Sequence, residues 1–376
     1  MKVKPAMFSI WERQSFLKAD IIIVGAGITG LSTAASLKEL KADLNILVLE
    51  RGVLPSGAST KNAGFACFGS ISELQKDIED LGEDGMVQLV EKRIKGLAKT
   101  TSRLGKQSVD LQVKGGYELL LEKDDAVIDQ MKKINRLLHL IYNDFIYQCS
   151  DDKIQTFGFG NTSHLIENKF EGQLDTGKLL SSLWDYCSHL GVKIFTGCEI
   201  SSIHQNDRRV DLLCDDLVFQ AEKVGVCTNA FSKKLLNKNI NLKPGRGMVM
   251  SILPEKQLKI SGTFHYDKGY YYFRDYYGKL IFGGARNLAL KEETTLDFGI
   301  NHKIKKKLME DLKQIILPNQ KFKIEHEWSG IMAFGENKSP IIRKVSDRVA
   351  IGVRLAGMGV AIGSLVGEEL AGLLVN

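Results

Sequence analysis

Three glycines and a glutamate near the start of the chain have the types and spacing for one task. Gly25, Gly27 and Gly30 form a G-x-G-x-x-G run, and Glu50 follows twenty residues after the last of them. The first glycine permits a tight turn, the second lets backbone approach a pyrophosphate, and the third lets strand and helix pack with no Cβ between them. A helix starting in this run, through Ala26, Ile28 and Thr29, offers free N–H groups and a positive dipole end to phosphate. Glu50, followed by Arg51, is placed to accept hydrogen bonds from a ribose hydroxyl pair. The chemistry is dinucleotide binding. A carboxylate at position 50 would repel a 2′-phosphate, which leaves FAD or NAD.

The elements that must position these residues are readable on either side of the glycines. Residues 21–24, four apolar positions without alternation, form a buried parallel strand. Thr33, Ala34 and Ala35 give the following helix a small-residue face, and residues 45–50 form a second strand that ends in the acid. Strand, glycine turn, helix and terminal acid together make the motif specific, where a lone glycine triplet would not be.

Bulk properties bound the rest. The 376 residues suffice for two domains, and 44 % apolar with 26 % charged residues describes a globular rather than a disordered protein. The net charge of +6 is modest and dispersed. Its densest cluster, at 303–307, lies in a helical pattern and reads as a solvated helix face, so nucleic acid is not an expected partner. Six cysteines form no C-x-x-C pair and no metal-ligand spacing with the seven histidines. Reduced thiols in the cytoplasm are the expectation. Residues 1–18 lack a continuous apolar core and do not read as a signal peptide. The uncharged run at 355–367 is too short to span a bilayer.

Along the chain, residues 1–19 read as an arm whose Trp11 and Phe16 pack on the surface of the first domain. Residues 71–105 carry the periodicity of two helices, 109–113 and 117–121 read as strands, and 127–142 as a helix. Asp175 is an expected N-cap of a helix to about 190. Short strands with a turn at Asn206 and Asp207 follow. From 242 to 327 the aromatic density rises and the strands look antiparallel. There, period two puts Tyr270, Tyr272 and Arg274 on one face and Tyr271 and Phe273 on the other. One face must be core. Polar tips favour the Tyr272 and Arg274 face as the one lining a cavity, the alternative being a tyrosine-rich sheet surface with an exposed arginine.

The segment Gly57-Ala-Ser-Thr-Lys-Asn-Ala-Gly64 resembles the G-A-S-x-x-N-x-G loop of the D-amino acid oxidase superfamily of FAD enzymes, which includes glycine, sarcosine and glutamylputrescine oxidases. Arg246-Gly247, the hairpin 270–286, Trp328 with Gly330, Ser339-Pro-Ile, and Arg354 through Gly357, Met358, Gly359 and Val360 resemble further motifs of that family, in its order. The resemblance implies an α/β fold, a Rossmann-type FAD-binding domain (1–105, 168–240 and 328–376) interleaved with an α+β substrate domain (106–167 and 241–327) built on an antiparallel sheet. It implies that Ser59 and Thr60 bond phosphate and that Lys61, Asn62, Ala63 and Gly64 lie near the isoalloxazine. It further implies an adenine-side contact at Ile200 and a turn near the dinucleotide at Asn229 and Ala230. Gly330 and the glycine-rich start of the last helix would face the flavin, where a helix N-terminus meets developing negative charge.

Several positions depart from the family pattern. The arginine that holds a substrate carboxylate after W-x-G is replaced by Ile331, Met332 and Ala333, so an α-amino acid substrate depends on Arg274, Arg246 or Arg286. The position of the oxygen-activating lysine of sarcosine oxidases is Ile281, with Lys279 two residues earlier. Neither cysteine nor histidine stands at Lys61, Asn62, Met332 or Ala333, so the FAD is expected to be non-covalent. The favoured function is oxidation of a C–N bond of a small amine or amino acid, with hydride passing to flavin N5 and oxygen or another acceptor taking the electrons. Tyr272 and Arg274 would orient the substrate, and Met332 with Trp328 would form an apolar wall. No side-chain base is required if the amine binds unprotonated; His265 is the nearest candidate, with a structural histidine as its alternative. A 2-hydroxy acid dehydrogenase, a tRNA-base-modifying flavoenzyme, and a flavin-binding partner subunit without turnover are the other readings.

Overall fold

The computed structural model describes residues 8–122, 125–236, 240–318 and 320–376; residues 1–7 of the expected arm lie outside the described residues. A short helix α1 (Ile10–Ser15), closed by a capping box between Ser9 and Glu12, leads into β1 (Lys18–Val24). Phe16 reaches the Phe195 ring at 6.1 Å, but Trp11 stays 72 % exposed, so only part of the arm packs as expected. Ile21, Ile22, Ile23 and Val24 are all buried, as a continuous apolar run in a parallel sheet covered on both faces requires. The glycine turn then opens α2 (Ile28–Leu40), and β2 (Ile46–Leu49) follows.

The chain next crosses between two sheets. A two-residue strand β3 (Phe65–Ala66) precedes α3 (Ile71–Leu104), which Gly82 (φ 76°) breaks into the two expected helices. Residues 109–113 are not the expected strand. They form a turn in which Asp110 adopts φ 50°, with Gln112 bridging Gln173. After β4 (Gly116–Leu120) come α4 (Asp125–Tyr142), β5 (Tyr147–Cys149), α5 (Asp152–Phe157) and β6 (His164–Asn168). The return runs through β7 (Gly172–Gln173) into α6 (Thr176–His189), where Asp175 accepts from Lys178 N as the expected N-cap. Strands β8 (Lys193–Phe195), β9 (Ser202–Gln205), β10 (Val210–Cys214) and β11 (Leu217–Val226) and the short helix α7 (Ser232–Leu236) complete this pass.

Strands β12 (Lys243–Pro254), β13 (Thr263–Tyr266), β14 (Tyr271–Tyr276) and β15 (Lys279–Gly284) are antiparallel neighbours or near neighbours, as the sequence predicts. Helix α8 (His302–Asp311) buries Ile304 and Leu308. Lys303 and Lys306 are exposed and Lys305 pairs with Glu327, a solvated face as expected, while Lys307 reaches back to the buried carboxylate of Asp311. The chain ends with β16 (Phe322–Phe334), β17 (Ile341–Lys344), β18 (Val349–Val353) and α9 (Gly359–Val375).

Two eight-stranded sheets result. The first, ordered β17-β18-β11-β1-β2-β8 with β10 and β9 attached to β11, has a parallel centre flanked by helices α2 and α9. The second, ordered β16-β12-β15-β14-β13-β4-β6-β5, is antiparallel except between β13 and β4. This is the α/β architecture of a dinucleotide-binding fold interleaved with an antiparallel sheet. Strand β16 runs unbroken to Phe334 in the second sheet, so the chain rejoins the first sheet only after that residue, rather than at 328. The glycines between helices are structural: a Cβ on Gly367 would sit 2.6 Å from Ser32 Cβ, which is how α9 lies so close to α2. Among the described residues, no helix is long and apolar enough to cross a membrane, and all six cysteines are free.

Candidate functional site

A cleft of about 1250 Å³ runs from the C-terminal end of β1 to the face of the second sheet. At one end it is lined by Gly25, Gly27, Ile28, Thr29, Glu50 and Arg51. Helix α2 begins there with Gly27 as N-cap and no side-chain cap. Glu50 is buried and accepts from Ala26 N at 3.0 Å and from Gly52 N at 3.1 Å, which fixes the carboxylate at the strand end. Ser59 accepts from Ile28 N at 3.0 Å, so the 57–64 loop is tied to the start of α2. Arg51 lays its guanidinium 3.9 Å from the centre of the Phe231 ring beside Ile200.

The middle of the cleft is lined by Lys61, Asn62, Ala63, Gly64 and Phe65, together with Gly330, Met332 and residues 355–361. Asn62 holds the loop in shape. Its amide nitrogen donates to Ala58 O and Ser59 O, and its oxygen accepts from Gly64 N and Thr176 Oγ1. Trp328 Nε1 donates to Lys61 O at 3.0 Å, joining the second sheet to this loop. A Cβ on Gly330 would lie 2.6 Å from Lys61 Cβ, so glycine is needed for that contact. Helix α9 starts at Gly359 behind Met358, again with no side-chain cap. Two helix N-termini whose own N-cap residues supply no side-chain cap therefore face one cleft, and they lie side by side: a Cβ on Gly363 of α9 would sit 2.7 Å from Ile28 Cγ2 at the start of α2.

Cross-strand register builds the far end. His265 on β13, Tyr272 on β14, Gly283 on β15, Val249 on β12 and Trp328 on β16 stand opposite one another in a row. His265, Tyr272 and Val249 line the cleft, with Tyr270, Arg286, Phe334, Glu73 and Lys338 around them. A Cβ on Gly283 would fall 3.0 Å from the Tyr272 hydroxyl, so glycine gives that ring its place. The opposite face, with Tyr271 and Phe273, is core, as period two predicts.

Electrostatics differ sharply across this end. Burial drives the Tyr272 phenol up to about 12, against the pull of Arg286. Burial lowers the pKa of His265, Glu73 opposes that shift and Lys338 reinforces it. Burial would raise Glu73, but Lys338, His265, Arg93 and the Ser70 N–H outweigh it and hold the carboxyl at about 2. Arg286 is half-buried, rests 4.1 Å from the centre of the Phe334 ring, and makes no hydrogen bond or ion pair among the described residues.

Several of the residues singled out from sequence do not line the cleft. Ala26 is fully buried and contributes its N–H to Glu50. Gly30 is packed away, because a Cβ there would meet Gly25 O at 1.9 Å; its role is strand–helix contact. Thr60 turns its hydroxyl to Pro55 O and Gly57 O instead of the cleft. Ala230 is buried against Ile331 and Ala333, while its neighbour Asn229 lines the cleft and accepts from Arg354 N. Arg354 directs its guanidinium to Ser339 O, Asn241 O and Asn337 Oδ1, away from the cleft. Arg274 is 5 % exposed and lines a separate cavity of about 160 Å³ behind Gly64 with Gln173 and Asp175, so it does not reach the face where Tyr272 lies. Although it shares a face with 272, position 274 lies two residues farther along β14, behind the loop residue Gly64 that lines the cleft.

Of the other arginines considered from sequence, Arg246 is taken by a bidentate pair with Glu293, which leaves Arg286. Lys279 pairs with Glu325 at 2.7 Å, and Trp328 packs with Ala63, Val249 and Ile281 rather than lining the cleft beside Met332. Sequence reasoning did not single out Glu73, Lys338 or Phe334. Ser70-x-x-Glu73 is a capping-box signature that marks the start of α3, yet only the fold brings that helix start to the sheet face.

An elongated dinucleotide fits this cleft on three observations: the glycine cradle beside Ser59, the acid at the strand end, and the two helix N-termini that open onto it. A family model described as FAD dependent oxidoreductase matches residues 20–373. A probable oxidoreductase, OrdL of Haemophilus influenzae, is 22 % identical over 382 residues, spanning 94 % of this chain and 82 % of its own length. The solved structure of iminodiacetate oxidase from Chelativorans sp. BNC1 is similar with a TM-score of 0.78 at 18 % identity, covering 94 % of this chain and 95 % of that one. Glycine oxidase from Geobacillus kaustophilus gives 0.76 at 17 % identity over 95 % of each chain. At such identities the likeness to solved structures is one of fold.

Proposed function

The chain belongs to the DAO family of FAD dependent oxidoreductases, and from that premise we propose that it oxidises the C–N bond of a small amine that carries a carboxylate. The observation behind this reading is Arg286. A half-buried guanidinium in a cleft, stacked on Phe334 but without an acid, is a cation awaiting a planar anion. Tyr270 and Tyr272 flank it, and Met332 closes the apolar side.

FAD would be held by Gly25, Gly27, Ile28 and Thr29 with Ser59 at the pyrophosphate, by Glu50 at the ribose, and by Arg51 and Ile200 at the adenine end. Lys61 to Gly64, Gly330 and the start of α9 would enclose the ring system. When bound, FAD supplies the hydride acceptor for the C–H bond next to nitrogen. The chain's own part is to fix the carboxylate on Arg286, to place the reacting carbon between Tyr272 and Met332, and to keep water away with the aromatic row. No side chain in the cleft offers a covalent link to a flavin at Lys61, Asn62, Met332 or Ala333, which supports non-covalent binding. Six free cysteines fit a reducing cytoplasm.

The test is anaerobic. The flavin-loaded protein is mixed with glycine, sarcosine, proline, iminodiacetate, their decarboxylated amines and 2-hydroxy acids, and the flavin absorbance is followed. Bleaching by the carboxylate-bearing amines is expected. Bleaching only by hydroxy acids, or by none of the panel, would remove the proposal; readmitted air then separates oxidase from dehydrogenase.

A further inference from the structure

Most small amines enter a site at neutral pH as ammonium ions, whose nitrogen has no lone pair to assist loss of the neighbouring hydride. One N–H proton must leave first. The cleft offers few groups able to take it. Tyr272 is a neutral phenol held up to about 12. Glu73, at about 2, is a weak base already bound by Ser70 N and by Lys338 at 3.7 Å. Asp297 accepts from Thr295 Oγ1 in its own turn. Cys67 is a buried thiol pushed well up by burial. Lys76, Lys268, Lys338 and Arg286 are cations.

His265 differs from all of these. It is the imidazole in the cleft wall, 8 % exposed, with its ring centre 4.9 Å from that of Phe65, which itself stands edge-on to Tyr272 at 5.9 Å. Register places it directly beside Tyr272 on β14 and beside Glu118 on β4. The elements packed around it present Glu73, Lys76 and Asp77 from α3, Glu118 from β4, Lys268 and Tyr270 from the hairpin turn, Tyr272 from β14, and Lys338 from the segment before β17. Glu118 is itself engaged by the Ser72 hydroxyl and N–H.

We infer that His265 accepts the ammonium proton of the bound amine, with Glu73 as the positioning residue that supports its basicity. This rests on the amine-oxidising reading above. In the step, one N–H bond of the ammonium breaks, its electron pair stays on nitrogen, and the proton forms an N–H bond on the imidazole. Nothing else changes hands. A neutral imidazole is the form needed, and burial with Lys338 nearby favours it at neutral pH. The aromatic wall of Phe65 and Tyr272 keeps bulk water from doing the same task.

The experiment uses flavin-loaded wild type, His265→Asn, His265→Gln and Glu73→Gln, and the amine from the panel that bleaches the wild type. Retained flavin and an unchanged far-ultraviolet spectrum report folding. With limiting amine, the rate of anaerobic bleaching in the wild type should fall below the imidazole's ionisation. In His265→Asn and His265→Gln that acid limb should vanish, the neutral-pH rate should drop about 100-fold, and the rate should climb with pH toward the ionisation of the free amine. Glu73→Gln, which keeps the imidazole, should move the limb to lower pH. Wild-type rate and limb in both His265 variants would overturn the assignment while leaving amine oxidation intact. Absence of bleaching by every amine would sink both.

Discussion

The guanidinium of Arg286 lies 4.1 Å from the centre of the Phe334 ring, inside the cleft and with no acidic partner among the described residues. Arg286 opens the short 3-10 turn just after β15 and Phe334 ends β16, so the pair exists only because the second sheet is complete. Stacking supplies part of what a counter-ion would, and fixes the plane in which an anion can bind. Arg286→Gln should weaken carboxylate-bearing amines by about 100-fold, roughly 3 kcal/mol for a lost bidentate contact, while the matching decarboxylated amines change little. Arg286→Lys should recover only part, since a point charge lacks the fork. The measurement is the apparent affinity in anaerobic flavin reduction, taken as the ratio of proline to pyrrolidine. An unchanged ratio in Arg286→Gln would remove Arg286 as the anchor.

The glycines of the first turn should separate into binding and folding positions. A Cβ at Gly27 would sit 2.8 Å from Ser59 Oγ, a hydroxyl that can turn aside. A Cβ at Gly30 would sit 1.9 Å from the Gly25 carbonyl, which cannot move without opening the strand–helix turn. Gly27→Ala is therefore expected to fold with near-native thermal stability but to lose flavin on gel filtration. Gly30→Ala is expected to unfold well below the wild type, flavin or not. Equal flavin retention in Gly27→Ala and wild type would contradict the cradle.

Those glycines also show why the nucleotide half was legible in the sequence and the substrate half was not. The turn and the N-cap at Asp175 are each decided by their immediate neighbours, and the acid at position 50 by a fixed spacing within one strand–helix–strand unit. Tyr272 was found because strand periodicity is local too. Arg274 shares that periodicity, yet two residues farther along the strand it lies in the small cavity behind Gly64. Arg354 sits in the right motif, but its side chain is claimed by three acceptors at 241, 337 and 339 that no motif encodes. Glu73, Lys338 and Phe334 reach the cleft from a helix start, a loop and a strand end that are far apart in sequence. Their convergence is a property of the packed sheets alone.

Behind the cleft, Arg93 and Asp77 are each 1 % exposed and joined at 3.1 Å, with Arg93 also donating to Phe68 O at 2.6 Å. Lys338 meets the same carboxylate at 3.2 Å. Removing one partner of such a pair strands a buried charge, so Asp77→Asn should cost about 3–5 kcal/mol of stability. Arg93→Met with Asp77→Leu should cost less than the two single changes added together, because neither charge is then left alone. Urea unfolding of the flavin-loaded proteins gives both values; strict additivity would show that the pair is not coupled.

Two neighbouring carboxyls give the protein a pH-dependent stability of predictable sign. Burial raises Glu171 from 4.5 to about 8, against hydrogen bonds from the Phe68 and Gly69 N–H groups. Burial likewise raises Glu118 to about 7, against the bonds from Ser72. Between 4.5 and these values the folded protein holds protons that the unfolded chain has released, so stability falls as pH rises through the window. Glu73, held at about 2, acts in the opposite sense below 4.5, and His265, held below 6.5, does so beneath that pH. From about pH 7 to 8, Glu171 therefore outweighs the other three groups. The melting temperature should decline across that interval, with stability falling by up to about 1.4 kcal/mol per pH unit for one proton. Glu171→Gln should flatten the decline there, whereas Glu118→Gln should flatten it only below pH 7. A Glu171→Gln curve parallel to wild type between pH 7 and 8 would mean that Glu171 is already ionised in the fold, with Arg93 carrying its charge.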